Sequence, residues 1–447
     1  MAGPLRIGGG SAFFNDRLDA ALELVEHGRI DVLMVETLAE RTLAVLQAAR
    51  GSGQPGHFPR LRQRLQTLLP ACRSRGTRLV SNGGGADPLG AGRVASDVAA
   101  EEGLSGTVVA AVLGDDVAAL VREADPVLVE TGERTSRLPG PIVSANAYLG
   151  AAPIAEACRA GAHVVMTGRV TDSALALGPL QAHFDWTAPD ALACGVVAGH
   201  LLECGGQATG GYFADPGVKE VPGLDRLGFP IAEVSEDLAV RIGKPPGTGG
   251  RIDRHVITEQ LLYEVHDPAR YITPDVVLDL TGVELEQEGP EQIRLTGMRG
   301  HPPPDALKVL IGVAGGQHVE AEISYAGSGA EGRARLAAEI VDRRLARTKL
   351  RDVGVRYDLM GLNALALPGA PPGAPPISLR EVRLRVAARC PDVEGAELLV
   401  TEVESLYVNG PAGGVGVRFS IRPAVRTLTA FLPAADVVPR VEYLEVR

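Results

Sequence analysis

Along the first half of the chain, short apolar runs alternate with longer stretches in which apolar residues recur every three or four positions. The short runs predict strands over 5–7, 31–35, 78–81, 107–113, 142–144 and 163–167. The longer ones predict helices over 16–27, 38–50, 60–75, 91–102, 116–123 and 153–160. A β-α-β-α rhythm with short connections predicts an α/β fold, a mainly parallel sheet with helices on both faces, because each parallel neighbour is reached by a crossover. Right-handed crossovers put every strand-to-helix loop at one edge of such a sheet. Those loops read GGGSAF, VETLAE, SNGGGAD, LGDD, SANAY and TGRVTD, a polar rim on an apolar sheet. That edge is where α/β proteins hold ligands.

From about Leu224 the texture changes. GKPPGTGG (243–250) is a stiff-then-flexible loop, and a helix is predicted over 257–264. The pieces VVLDLTGVELEQ, EQIRLTGMRG, ALKVLIGVAG and HVEAEISYAG alternate apolar and polar residues, which predicts antiparallel strands with one wet face. A helix over 332–348, a proline-rich connector at 369–376, a strand over 381–387 and a helix over 395–407 follow. The expectation is an α/β ligand-binding or catalytic domain at 1–223 and a smaller α+β domain at 224–447. Residues 30–45 also align without gaps on 162–177, either as an internal duplication or through shared strand-turn-helix periodicity.

Composition narrows the function. At 447 residues the chain exceeds one ordinary core, and with 4% aromatics that core has to be built of Ala, Val and Leu. Ala-rich helices predict tight helix-on-sheet packing and a homo-oligomer. A net charge of −11 without blocks of like charge argues against nucleic acid, whose phosphates need clustered Lys and Arg. The five cysteines are scattered, with no CxxC pair, which fits a reducing cytoplasm rather than a disulfide scaffold or zinc ribbon. No signal-peptide pattern and no apolar run of ~20 residues is present, so no membrane partner is expected.

Residues 144–216 interleave Gly with amides, acids and small residues, as expected where backbone approaches a ligand. In SNGGGAD, Asn82, Gly83 and Gly84 follow a strand and precede a helix; their N–H groups would bind phosphate or carboxylate, or else form a tight turn capped by Asn82. In TGRVTD, Arg169 and Asp172 lie one helical turn apart. Arg169 would grip a carboxylate while Asp172 serves as acid or base; the alternative is an ion pair capping its own helix. His200, Glu203 and Cys204 share one helical face. Acid–base use of Glu203 oriented by His200, a buried His–Glu bond beside a packed thiol, and a metal site joined by Asp172 are the readings, and no metal ligand is assigned. Gln207, Thr209 and Gly210 extend the substrate-binding set. Asn146 and Tyr148 would donate to an acyl carbonyl, Asn146 alternatively capping a helix. Glu40, Asp115 and Asp116 lie on the same edge, and Lys244 with its GTGG loop forms either a lid or a surface hairpin.

GHLLECGGQATGGYFADPG, SANAYLGAAPIAEA and TGRVTDSALALGPL resemble the acyclic terpene utilisation protein A family. The likeness runs from IGGGSAFFNDR through KPPGTGG and TEQLLYEVHDPARYITPDV to LYVNGPAGG, covering essentially the whole chain. The resemblance implies a place in degrading citronellol- and geraniol-type coenzyme A thioesters, with a hydratase or lyase role. The family pattern has GDYLAE where this chain has VETLAE, so no role is carried over to Glu36. The expectation is a lyase, a hydro-lyase or carbon–carbon lyase, acting on a small acyl thioester or carboxylated substrate. Asp172, Glu203, Arg169 and His200 would be catalytic, and no cofactor is assigned beyond coenzyme A as part of the substrate. The alternative is a non-catalytic small-molecule-binding subunit.

Overall fold

A computed structural model describes residues 2–51, 53–365 and 380–446, the side chains of Glu40 and Arg41 apart. The proline-rich stretch at 369–376 and the Glu40 side chain therefore lie outside the described residues. Two compact units form: Met1–Leu138, Ile142–Gly312 and Thr427–Arg447 make the first, Pro139–Pro141 and Val313–Arg426 the second.

In the first unit the rhythm of the sequence becomes β1 (Leu5–Gly9), α1 (Leu18–His27), β2 (Val32–Val35), α2 (Glu40–Gly51), α3 (Leu61–Arg75), β3 (Arg78–Ser81), α4 (Pro88–Glu101), β4 (Val108–Leu113), α5 (Ala118–Ala124), β5 (Ile142–Ala147), α6 (Ala152–Arg159), β6 (Val164–Thr167), α7 (Ala174–Phe184) and α8 (Pro189–Glu203). Helix α4 starts three residues before its expected position because Pro88 opens it and Asp87 caps Gly90 N at 3.0 Å. Strands β1, β2, β3, β6 and β4 lie side by side in parallel.

Strand β5 is the exception to the expected sheet. It pairs with β14 (Ala306–Ala326), and the place beside β4 is taken by the antiparallel β18 (Arg440–Glu445). At the other edge β7 (Ile231–Val234) pairs antiparallel with β1, followed by β8 (Val240–Gly243), β12 (Gln292–Thr296) and β11 (Glu284–Gly289). Strands from beyond residue 223 thus extend the sheet begun by the first half. A separate small sheet joins β9 (Tyr271–Ile272), β10 (Val277–Asp279) and β13 (Arg299–His301), and α9 (Arg254–Leu262) precedes it.

Helices cover both faces of the large sheet, and consecutive residues of β1 record it. A Cβ at Gly8 would meet Leu24 of α1 at 3.2 Å, whereas one at Gly9 would strike the carbonyl of Leu202 in α8 at 2.5 Å. On the α1 side Leu24, Leu65, Leu68, Ala95 and Val98 bury against Leu33 and Leu79. On the other, α7 and α8 touch almost backbone to backbone: a Cβ at Gly199 would lie 2.6 Å from Ser173 Cα. Small residues here serve helix packing within the chain.

The second unit holds β15 (Val355–Met360), β16 (Glu381–Cys390) and the parts of β14 and β17 (Val415–Pro433) that lie within Val313–Arg426, ordered β15-β16-β14-β17 in one sheet, antiparallel where β16 pairs with its two neighbours. Val382, Leu384 and Val386 bury with α10 (Ala330–Leu345) and α11 (Val393–Glu404), while Arg383 and Arg385 point to the wetter face.

Candidate active site

Because β2, β3 and β6 are neighbours, the loops leaving their carboxyl ends emerge together. Asn82, fully buried after β3, ties the three. Its Oδ1 accepts the Thr37 N–H at 2.7 Å; its Nδ2 donates to Glu36 Oε1 at 3.0 Å and reaches Asp172 Oδ1 at 3.5 Å. A backbone N–H can only donate, so the amide oxygen has to face Thr37 and the NH2 has to face the two carboxyls. Arg169 pairs with Asp172 Oδ1 through Nη2, donates from Nη1 to Leu38 O and from Nε to Val170 O at 2.7 Å. The guanidinium lies 4.6 Å from the centre of the Tyr148 ring, which Lys308 also approaches at 4.7 Å. Asn82, Arg169 and Glu36 are buried, but the Asp172 side chain keeps 34% of its surface exposed. Burial, and then the negative charge of Asp172, push Glu36 up to about 8, against the opposing pull of Asn82 and Arg169.

Behind this group stands Asp115, just past β4. Its Oδ2 accepts the Arg169 backbone N–H and Asn146 Nδ2, both at 2.9 Å. Burial raises it to about 6 despite those two bonds. A Cβ at Gly168 would sit 2.5 Å from the same carboxylate, so the close approach requires glycine there. An antiparallel bridge between Asp116 and Asn146 brings the end of β5 to this edge although β5 belongs to another sheet.

The end of α8 supplies a second pair. His200 Nδ1 lies 3.0 Å from Glu203 Oε1, and Nε2 lies 3.2 Å from Leu261 O. A carbonyl only accepts, so Nε2 carries a hydrogen; Nδ1 and the carboxylate then need a proton between them, on one or the other. Burial works against a charged His200, but the Glu203 bond and charge and the Leu261 and Gln260 carbonyls outweigh it and hold His200 above its ordinary value. The Tyr271 ring stands 5.4 Å from His200, and its hydroxyl is held up by burial and then by the charges of both Glu203 and Asp172, so one phenol senses both groups. Burial and Glu203 push the Cys204 thiol up to about 12, which suits packing rather than nucleophilic attack. Among the described residues no group of three or more His, Cys, Asp or Glu is placed to hold a metal.

A family model described as "Acyclic terpene utilisation family protein AtuA" matches residues 5–443. The chain belongs to this family. Comparison with curated proteins and with solved structures finds no match. The AtuA match spans every residue of the two groups just described.

Other residues marked by the sequence of this AtuA-family chain go elsewhere. In the SNGGGAD loop the Gly83, Gly85, Ala86 and Asp87 N–H groups donate to Ser81 Oγ, Asn82 O, Gly56 O and Gly84 O, so these donors are engaged within the protein. A Cβ at Gly84 would lie 2.6 Å from Thr167 O, so that glycine lets the β3 and β6 loops touch. Thr209 gives its hydroxyl to Gly228 O at 2.6 Å, and Gly210 makes a turn at φ 102°. Gln207 lines a cleft of about 50 Å3 with Tyr212, Gln260 and Tyr263. Lys244 is buried against Glu291 at 2.7 Å, anchoring its loop. A larger groove of about 1150 Å3, lined by Phe213, Lys219, Arg251, Arg254, Tyr263 and Glu264, lies next to that cleft; Lys219 pairs there with Glu259 at 2.6 Å and Arg251 with Asp253.

Of two further members of the site, the sequence reading named Glu36 without giving it a role and did not mark Tyr271. Glu36 follows β2 as Asn82 follows β3, and that shared topological position was its signal. Tyr271 sits in a two-residue strand and gave none.

Proposed function

We propose that this AtuA-family chain is an enzyme that moves a proton on a small acyl thioester or carboxylated substrate, in a hydratase or carbon–carbon lyase reaction. Asp172 takes or gives the proton. Arg169 and Asn82 hold its carboxylate in place, and the proton shared by His200 and Glu203 supplies the complementary acid. The family's setting favours coenzyme A as the carrier part of the substrate, and a homo-oligomer remains our expectation.

The observation that supports the reading is the exposure of Asp172. It is a partly open carboxylate whose neighbours Asn82, Arg169 and Glu36 are buried, and its charge acts with that of Glu203 on the Tyr271 hydroxyl. A group oriented by buried partners yet reachable from solvent is what general acid–base catalysis requires. The test is product analysis on a panel of short and branched acyl thioesters. Wild type should convert at least one, and Asp172→Asn and Glu203→Gln should each abolish most of that conversion. Full turnover in both variants contradicts the assignment. Thioester bound and returned unchanged by wild type favours the non-catalytic binding subunit instead.

A further inference from the structure

We infer that Glu36 and Asp172 form a carboxyl pair that carries one proton between them, with Glu36 holding the proton in the resting protein and Asp172 the charge. Glu36 is then a positioning residue acting through Asn82; only its kinetic consequence rests on the acid–base reading above.

The geometry is asymmetric in the way such a pair needs. Both carboxyls bond the same amide nitrogen, at 3.0 and 3.5 Å, so their oxygens stand no farther apart than the sum of those bonds. The Thr37 N–H at 2.7 Å fixes the amide so that it cannot turn its oxygen toward them. The Arg169 guanidinium is committed to Asp172, Leu38 O and Val170 O. Among the described residues Glu36 meets only neutral donors in its hydrogen bonds, Leu38 N at 2.6 Å and Asn82 Nδ2. Among the described residues, the charged and titratable groups that act on it include Asp172 and Arg169 from the loop after β6 and Cys204 from the end of α8. A buried carboxylate with a like charge nearby and no direct cation is better kept neutral. Oε1 receives both N–H bonds, which leaves the proton to Oε2. The upward push on Glu36 from burial and from Asp172 agrees with this arrangement.

Difference infrared spectroscopy of the full chain, scanned from about pH 6 to about pH 9, tests it through the protonated-carboxyl C=O band. Wild type should lose one such band with a midpoint near 8. Glu36→Gln should lack that transition while keeping those below it, which belong to groups such as Asp115. Asp172→Asn should move the midpoint down by about one unit or more, because the repelling charge is gone; this variant keeps the test open should Glu36→Gln fold poorly. No carboxyl transition in wild type over that range, or a midpoint unmoved in Asp172→Asn, overturns the pair. The acid–base reading fails separately: if the infrared results hold but the pH profile of kcat is the same in wild type and Glu36→Gln, the pair exists and does not serve turnover.

Discussion

Two regions of the molecule bring arginines and acids together, with opposite results. On the sheet of the second unit, Glu320, Asp358 and Glu322 each touch a guanidinium directly, from Arg385, from Arg385 and Arg356, and from Arg383. There the Arg385 hydrogen bond holds Glu320 below its ordinary value. At the edge of the parallel sheet, Glu36 and Asp115 are bonded by neutral N–H groups instead, and both are pushed up, to about 8 and about 6. The residue types are the same. What differs is whether the cation reaches the carboxyl itself, since Asp358 is as buried as Asp115. The first arrangement is an ion-pair network around the buried Asp358; the second, on the proposal above, holds protons beside a partly exposed acid, a feature of active sites.

The largest expected contrast is catalytic. Asp172→Asn should lower kcat by about 10²- to 10⁴-fold, as loss of a general acid or base does. Glu320→Gln, in the other network, should leave kcat within about twofold. Steady-state kinetics on a converted thioester decides, and equal losses in the two variants would erase the distinction.

Stability should separate the regions next. Arg169→Ala leaves Asp172 without its guanidinium and strips Leu38 O and Val170 O of a donor, a loss of about 3 kcal/mol in urea unfolding, kept below the fully buried limit because Asp172 is one-third exposed. Arg383→Ala breaks a half-exposed pair with Glu322 at 3.3 Å and should cost about 1 kcal/mol or less. Gly168→Ala drives a methyl against Asp115 and should cost about 1–3 kcal/mol, with Asn146 displaced.

The pH dependence also separates the regions, because its sign differs between them. Glu36 binds its proton more tightly folded than unfolded. Its contribution is therefore full below its ordinary value of 4.5 and is lost as pH rises through about 8. Asp115 does the same between 3.8 and about 6. Glu320, held low, contributes above 4.5 and loses that contribution as pH falls. Stability measured across this range should decline toward alkaline pH in wild type, and Glu36→Gln should flatten the upper part of the decline.

The central strands and their helices were legible because each is set by local periodicity. The place of β5 was not: β18, from the far end of the chain, fills the slot beside β4, and no local pattern in the first half announces that competitor. The same holds for the site. Asn82, Arg169 and Asp172 could be gathered at one edge from topology, whereas Asn146 reaches it through its bridge to Asp116; the partners of Asn82 lie 45, 46 and 90 residues away, so their bonding could not be read. Glycine reads two ways for a physical reason. Close approach of backbone to a ligand and of one loop to another need the same missing Cβ, and Gly84 and Gly168 serve the second purpose.

Exchange of solvent deuterium into an acyl thioester, at the carbon next to its carbonyl, tests the proton-moving edge most directly. The account predicts enzyme-dependent exchange in wild type and a fall of about 100-fold or more in Asp172→Asn. Exchange that continues at the wild-type rate in that variant would contradict it.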